Sequence, residues 1–170
     1  MKTTNKTLYL TRGAIIAALY IALTYVASIF GLSSGVIQFR ISEVLCVLPL
    51  FFPEAIPGLY IGCLLSNILT GCVFWDVMFG SLATLIGCVG ASLLKRLPHK
   101  LLWISTLPTI FANALIVPFV LMYAYGAEGS FVFFAATVFI GEAVCAGIGG
   151  SLLLYSLKSK KVFAFRKDKQ

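Results

Sequence analysis

The chain has little of what a soluble protein uses to meet water: 11% of its 170 residues are charged, and only six residues are acidic. Hydrophobic residues make up 60% of the sequence, and the mean hydropathy is +1.01. This composition leaves too few polar side chains to cover a soluble domain of this size. It therefore indicates a membrane protein.

Groups that perform catalysis or bind metals are equally scarce. The single histidine, His99, lies in a basic segment, and the five cysteines show no C-x-x-C spacing. The sequence contains no Walker loop, no H-E-x-x-H motif and no serine–histidine pairing. We therefore expect no enzymatic activity, no metal site and no disulfide framework, and we expect the cysteines to pack as small apolar residues.

Positive charge is concentrated at three places. Twelve of the thirteen lysines and arginines lie within residues 1–12, 95–100 and 158–169, and long apolar segments separate these clusters. Basic residues accumulate on the cytoplasmic side of membrane helices. The pattern predicts a multi-pass protein of the cell membrane with both termini and the middle loop in the cytoplasm. The net charge of +7 then indicates contact with anionic lipid rather than nucleic acid.

The apolar segments predict the fold. A helix needs about 20 apolar residues to cross the hydrocarbon layer. We predict an all-α membrane protein, a single domain over residues 1–170, formed by a bundle of six transmembrane helices. These are expected at about 8–30, 41–52, 55–71, 76–94, 101–123 and 130–157. The second is short, so it is either tilted or begins inside the polar stretch at 38–43.

Polar residues within this apolar sequence are the candidates for function. A charge at a helix centre costs roughly 2.5–3.5 kcal/mol on insertion scales, so such residues usually face the interior and act there. The thirteenth basic residue, Arg40, is predicted on the non-cytoplasmic side. The candidate substrate-binding residues are Gln38, Arg40, Glu43, Asn67, Trp75, Asp76, Phe79, Asn113 and Glu142.

Most of these candidates also have a structural interpretation. Arg40 and Glu43 are three positions apart and could pair with each other. Asp76 begins a predicted helix, where a carboxylate can cap the helix or interact with its dipole. The buried amides and Glu142 could join helices through hydrogen bonds, and Trp75 and Phe79 could belong to an interfacial aromatic belt.

Small residues recur every four positions on two predicted helices. Ala14, Ala18 and Ala22 form one stripe, and Gly58, Gly62 and Ser66 form another. Such stripes let helix backbones approach closely. We expect the glycine stripe to pack inside the bundle. The alanine stripe on the first helix either packs there or docks a partner subunit.

Two motifs resemble those of a known family. V-I-Q-F-R-I-S-E at residues 36–43, followed by L-P at 48–49, and D-V-M-F-G-S-L-A-T-L at 76–85 are similar to the QueT family. That family comprises substrate-binding S-components of energy-coupling factor (ECF) transporters for queuosine precursors. The resemblance covers nearly the whole chain in length, six-helix layout and motif order. The stripe at Ala14 and Ala18 also resembles the motif by which S-components dock their T-subunit.

The resemblance implies a substrate and partners. The chain would bind queuine or a related 7-deazaguanine base and work with a membrane T-subunit and two ATPase subunits. Those ATPases hydrolyse the ATP, so the chain itself would be no enzyme and need no cofactor. The remaining alternatives are an S-component for another vitamin-like solute, an intramembrane enzyme, and a structural or channel-like membrane protein.

The implied ligand suits the polar candidates. A carboxylate can accept two hydrogen bonds from the Watson–Crick edge of the base, and Gln38, Asn67 or Arg40 can donate to its oxo group. Trp75 or Phe79 offers a flat surface for stacking. An aminomethyl group would add a cation for a second carboxylate. The allocation of these tasks among Glu43, Asp76 and Glu142 stays open.

Overall fold

The computed structural model describes residues 2–32 and 38–159, and within these ranges the protein consists of helices and connecting turns. The α-helices are α1 (Lys2–Ile29), α2 (Ala55–Leu69), α3 (Phe74–Leu93), α4 (Leu107–Tyr123), α5 (Phe131–Glu142) and α6 (Gly150–Ser159). The 3-10 helices are Ile41–Leu50, Leu94–Arg96 and His99–Thr106, and a π-helix, Ala143–Gly149, joins α5 to α6. The predicted all-α membrane fold is confirmed. Residues 33–37 of the first motif region and the basic residues beyond Ser159 lie outside the described ranges.

Four helical segments are long and apolar enough to cross a membrane. They are Lys6–Ile29, Phe74–Arg96, Lys100–Tyr123 and Phe131–Lys158. Two shorter apolar helices, Ile41–Leu50 and Ala55–Leu69, complete the six. The last long segment is continuous because the π-helix connects α5 and α6 without a turn.

The short second segment is a 3-10 helix, and the larger rise per residue of this geometry makes the segment longer than an α-helix of ten residues. Ten residues at roughly 2.0 Å each extend about 20 Å, whereas an α-helix of the same length extends about 15 Å. The segment contacts α1, α3, α6 and the π-helix, and eight of its ten residues are buried. It therefore lies in the middle of the bundle.

The α-helices around it pack mainly against their neighbours in the chain, α1 on α2 through to α4 on α5. The glycine stripe of α2 faces α1, where a Cβ on Gly58 would lie 2.6 Å from the Gly13 carbonyl oxygen. A Cβ on Gly62 would lie 2.9 Å from the Cβ of Tyr20. The interpretation of this stripe as internal packing is confirmed.

The alanine stripe of α1, unlike the glycine stripe of α2, faces away from the bundle. Ala14, Ala18 and Ala22 are exposed on the outer face of α1, while Ala17 on its inner face is buried. The stripe therefore makes no close packing within the bundle. It stays available to a neighbouring molecule.

The two ends of the bundle differ in charge. The basic end holds Arg12, Lys95, Arg96, Lys100 and Lys158, and there Arg12 Nη1 lies 3.2 Å from the buried carboxylate of Glu54. The pocket end holds the turns that follow α1, α2 and α4. These turns bring Arg40, Cys72 and Tyr125 around one cavity.

The cysteines are free thiols, as expected. Cys46, Cys63, Cys88 and Cys145 are buried, and Cys72 is partly exposed. Cys46 and Cys88 approach with their sulfur atoms 3.7 Å apart in the packed interior. In the described part of the chain, no group of three or more metal-binding side chains is present.

Candidate functional site

A cavity of about 470 Å³ lies at the pocket end of the bundle. Its wall combines α1, the start of the 3-10 segment, the α2–α3 turn and the facing ends of α4 and α5. The polar lining residues are Thr24, Ser28, Gln38, Arg40, Asn67, Thr70, Asp76 and Tyr125. The cavity therefore gathers four of the sequence-predicted site residues, which are separated in the chain.

Arg40 and Asp76 form the charged part of this wall. Arg40 Nη2 lies 3.8 Å from Asp76 Oδ1 and 3.5 Å from Asn67 Oδ1, and both charged side chains are about nine-tenths buried. The amide nitrogen of Asn67 lies 3.4 Å from the backbone oxygen of Asp76. Arg40 thus pairs with Asp76, and the alternative pairing with Glu43 is not the one in the structure.

Asp76 is held from its other side by Tyr125. The Tyr125 hydroxyl donates a 2.9 Å hydrogen bond to Asp76 Oδ2 and accepts a 3.4 Å bond from the Val73 backbone N–H. Burial and the charge of Asp76 raise the pKa of the Tyr125 phenol, which keeps it a donor at neutral pH. Sequence reasoning missed this residue, since a tyrosine after a membrane helix reads as part of an interfacial belt.

Asp76 does not cap its helix. The N-cap position of α3 is Val73, which makes no side-chain cap bond, and Asp76 lies in the first helical turn. A carboxylate there still interacts favourably with the positive end of the helix dipole. The hydrogen bonds of its side chain are instead directed to the cavity wall.

Glu43 lies beneath the cavity and is fully buried. Its carboxylate accepts hydrogen bonds from Tyr20 at 2.5 Å, from Thr84 at 2.8 Å and from the Cys46 thiol at 2.9 Å. These donors come from α1, α3 and the 3-10 segment itself. Glu43 therefore joins three elements just below Arg40 and is not part of the cavity lining.

Asn113 and Glu142 are also buried below the lining residues. The amide nitrogen of Asn113 donates to the Thr109 carbonyl at 3.1 Å. Asn113 Oδ1 and Glu142 Oε2 have no hydrogen-bond partner among the described residues, and the same is true of Arg40 Nη1. Buried polar atoms of this kind are rare in native proteins, so each requires an explanation.

The two aromatic candidates, Trp75 and Phe79, face away from the cavity. Trp75 is 56% exposed and Phe79 is 41% exposed, and their rings stack with centroids 5.9 Å apart on the outer face of α3. They line a separate apolar groove of about 570 Å³ with residues of α4, including Phe119 and Tyr123. Trp75 and Phe79 are four positions apart, so they share one face of α3, and they line the outer groove, whereas Asp76 lines the cavity.

A helical membrane bundle with a buried, charged, small-molecule-sized cavity has the architecture of a membrane solute-binding or transport protein. Comparison with known proteins agrees with this class. Residues 10–159 match the family model described as QueT transporter. The chain is 32% identical over 157 residues to the Queuosine precursor transporter QueT of Lactococcus lactis subsp. cremoris (strain MG1363), which covers 88% of this chain and 92% of that protein. The chain belongs to the QueT transporter family.

No solved structure matches the chain. Membership of a transporter family confirms the predictions of a transport role, a small-molecule substrate and a multi-pass membrane location. It also confirms that the chain is not an enzyme, because the family and the relative are transporters.

Proposed function

We propose that this chain is the substrate-binding S-component of an ECF-type importer and that it captures a queuosine precursor, queuine or a related 7-deazaguanine base. The observation that carries the proposal is the buried Arg40–Asp76 pair in the wall of the cavity. The QueT transporter named for a queuosine precursor supports the substrate class.

The polar groups of the cavity match the edge of such a base. Asp76 presents carboxylate oxygens to the adjacent N–H donors of the Watson–Crick edge. Asn67, Gln38 and Arg40 supply donors for the oxo group. The cavity volume of about 470 Å³ lies in the range of small-molecule sites, roughly 300–1,000 Å³.

The same arrangement favours selectivity over tight but general binding. A site that hydrogen-bonds a donor edge rejects analogues that lack it, because the buried acceptors are then left unpaired. Tyr125 and Arg40 fix the orientation of Asp76 before a ligand arrives. Trp75 and Phe79 lie outside this cavity, so we do not assign them to the base.

The orientation and partners follow from charge and exposure. We place the basic end and both termini in the cytoplasm and the pocket end outside the cell membrane. The exposed stripe Ala14, Ala18 and Ala22 would dock the T-subunit, since small residues let another helix approach closely. Two ATPase subunits would hydrolyse ATP, and the chain would need no cofactor of its own.

Ligand titration of the detergent-purified chain tests the substrate class. We expect saturable binding of 7-deazaguanine bases and affinities at least about a hundredfold lower for pyrimidines and unrelated vitamins, because unpaired buried groups penalise the wrong edge. Tighter binding of another vitamin-like solute would overturn the queuosine assignment while leaving the S-component assignment intact. Absence of saturable binding to any of these solutes would overturn both.

Cysteine labelling tests the orientation. With Cys72→Ser as the background, Glu128→Cys should react with an impermeant reagent applied from outside, and Arg96→Cys should react only after permeabilisation. The four buried native thiols can stay in place because they are shielded. The reverse labelling pattern would contradict the proposed orientation.

A further inference from the structure

We propose that Glu142 and Asn113 form a cation subsite beneath the polar cavity, which takes a protonated amine carried by the bound base. This inference rests on the proposed function and deepens it. It selects an amine-bearing 7-deazaguanine over a neutral one, and it gives the three buried carboxylates of this region different tasks.

The three carboxylates differ in how many hydrogen bonds and ion pairs they make. Glu43 accepts from Tyr20, Thr84 and Cys46, so it is committed to the fold. Asp76 accepts from Tyr125 and pairs with Arg40. Glu142 is 3% exposed, and its Oε2 has no partner within the described ranges. It is therefore the carboxylate with unused capacity.

The register of α4 and α5 places Asn113 beside Glu142. Leu121 and Phe134 line the cavity, and they form one cluster with Val117 and Val138, one turn further down each helix. The two helices run in opposite directions along this cluster. A further turn, four residues on each helix, leads from Val117 to Asn113 and from Val138 to Glu142.

The segment that lines the cavity at Gln38 reaches this layer. A Cβ on Gly141 would overlap the backbone oxygen of Gln38, so the cavity-lining segment crosses α5 at the residue before Glu142. Glu142 also lies within electrostatic reach of Arg40 and Glu43. The subsite and the base-binding wall are thus neighbouring parts of one region.

The unused atoms fit an ammonium group. Asn113 Oδ1 and Glu142 Oε2 are both hydrogen-bond acceptors, and an ammonium is a donor with three N–H groups and no acceptor. Glu43, Asp76 and Glu142 all interact electrostatically with one buried arginine, Arg40, so the region has an excess of potential negative charge. A neutral substituent would leave Glu142 Oε2 without the hydrogen-bond donor that an ammonium supplies.

Binding of two ligands that share one ring tests this inference. The first, 7-aminomethyl-7-deazaguanine, carries the cation, and the second, 7-cyano-7-deazaguanine, is neutral. We expect the wild-type chain to bind the amine at least about tenfold more tightly. Glu142→Gln keeps the size of the side chain but removes its charge. It should weaken amine binding about tenfold to a hundredfold and change nitrile binding less than about threefold.

Glu43→Gln is the matched control, because it neutralises an equally buried carboxylate. It should lower the melting temperature and leave the amine-to-nitrile affinity ratio unchanged. An equal loss for both ligands in Glu142→Gln, or loss of the preference in Glu43→Gln instead, would overturn the assignment to Glu142. If Glu142→Gln does not fold, the ratio of amine to nitrile affinity in the wild-type chain tests the inference. Nitrile binding that is equal to or tighter than amine binding would then overturn the subsite. Binding of neither ligand to the wild type would instead overturn the proposed function on which it rests.

Discussion

Tyr125 and Asp76 lie 49 positions apart, and the phenol of Tyr125 donates a 2.9 Å hydrogen bond to Asp76 Oδ2. The contact joins the turn after α4 to the first turn of α3. With Arg40 near the other carboxylate oxygen, it fixes Asp76 from two sides. A carboxylate held in this way pays little additional ordering entropy when a ligand binds.

Replacing Asp76 tests whether it binds the base. Asp76→Asn keeps the size but turns one acceptor oxygen into a donor that faces the N–H edge of the ligand. We expect binding of a 7-deazaguanine to weaken by about 1–3 kcal/mol, roughly fivefold to 150-fold in affinity, in isothermal titration. Glu128→Gln, at an exposed carboxylate of the same end, should bind normally. Equal affinities of Asp76→Asn and wild type would remove Asp76 from the site.

Removal of the Tyr125 hydroxyl tests the orientation of Asp76. Tyr125→Phe keeps the ring and deletes one charge-assisted hydrogen bond, so we expect affinity to fall about threefold to thirtyfold. Titration calorimetry measures this loss, and Tyr123→Phe is the control because Tyr123 is exposed and lines the outer groove. An unchanged affinity in Tyr125→Phe would show that Arg40 alone orients the carboxylate.

The same residue predicts an alkaline pH dependence. The pKa of the Tyr125 phenol is raised in the folded protein above its ordinary value of 10.0. Its contribution to stability is therefore complete below about pH 10, where the unfolded phenol is also protonated, and is lost as the pH rises toward the folded pKa. Melting curves should show no contribution from Tyr125 to pH dependence between about pH 6 and 9. Tyr125→Phe should reduce the decline above about pH 10, and an identical decline would contradict the assignment.

Gly141 tests the seating of the cavity-lining segment on α5. A methyl group in Gly141→Ala would overlap the Gln38 carbonyl oxygen, so we expect a loss of about 1–3 kcal/mol in stability and weaker ligand binding. Gly147→Ala, on the same helical run, places its methyl 3.4 Å from the Ile110 side chain, an ordinary contact. It should melt like the wild type. Similar behaviour of both variants would show that the segment at Gln38 moves freely.

The alanine stripe of α1 tests partner docking. Ala18→Trp adds a large side chain to an exposed position, so the isolated chain should fold and bind ligand normally. Co-purification with the T-subunit and uptake into cells should fall at least tenfold, because close helix contact needs small residues. Ala17→Trp, at a buried position, should instead disrupt the fold. Normal uptake by Ala18→Trp would place the docking surface elsewhere.

The positions of the helices were predictable because long apolar runs between basic clusters leave few alternatives. That the second helix is a 3-10 helix and not an α-helix was not predictable. The sequence Ile41–Leu50 has the apolar character of a buried element, but apolar character alone does not distinguish a 3-10 helix from an α-helix. The segment contacts α1, α3, α6 and the π-helix, and such tertiary packing is not visible in the local sequence.

Part of the site was predictable for a similar reason. Gln38, Arg40 and Asp76 are polar residues predicted on the same side of the membrane, and the structure brings them to one cavity together with the buried amide Asn67. Tyr125 was missed because its hydrogen bond to Asp76 depends on how the turn after α4 folds back. The separation of Glu43 from the cavity depends on the donors that surround it, which come from three elements.

During synthesis, the segment Ile41–Leu50 is unable to enter the membrane as an independent helix. Independent insertion takes about 20 apolar residues, and this segment has ten, one of which is Glu43. Tyr20 is made before Glu43, but Thr84, another of its hydrogen-bond donors, follows 41 positions later. Glu43 therefore has its full set of hydrogen-bond donors only after α3 has been made, so the environment of this segment is completed by an element that follows it in the chain.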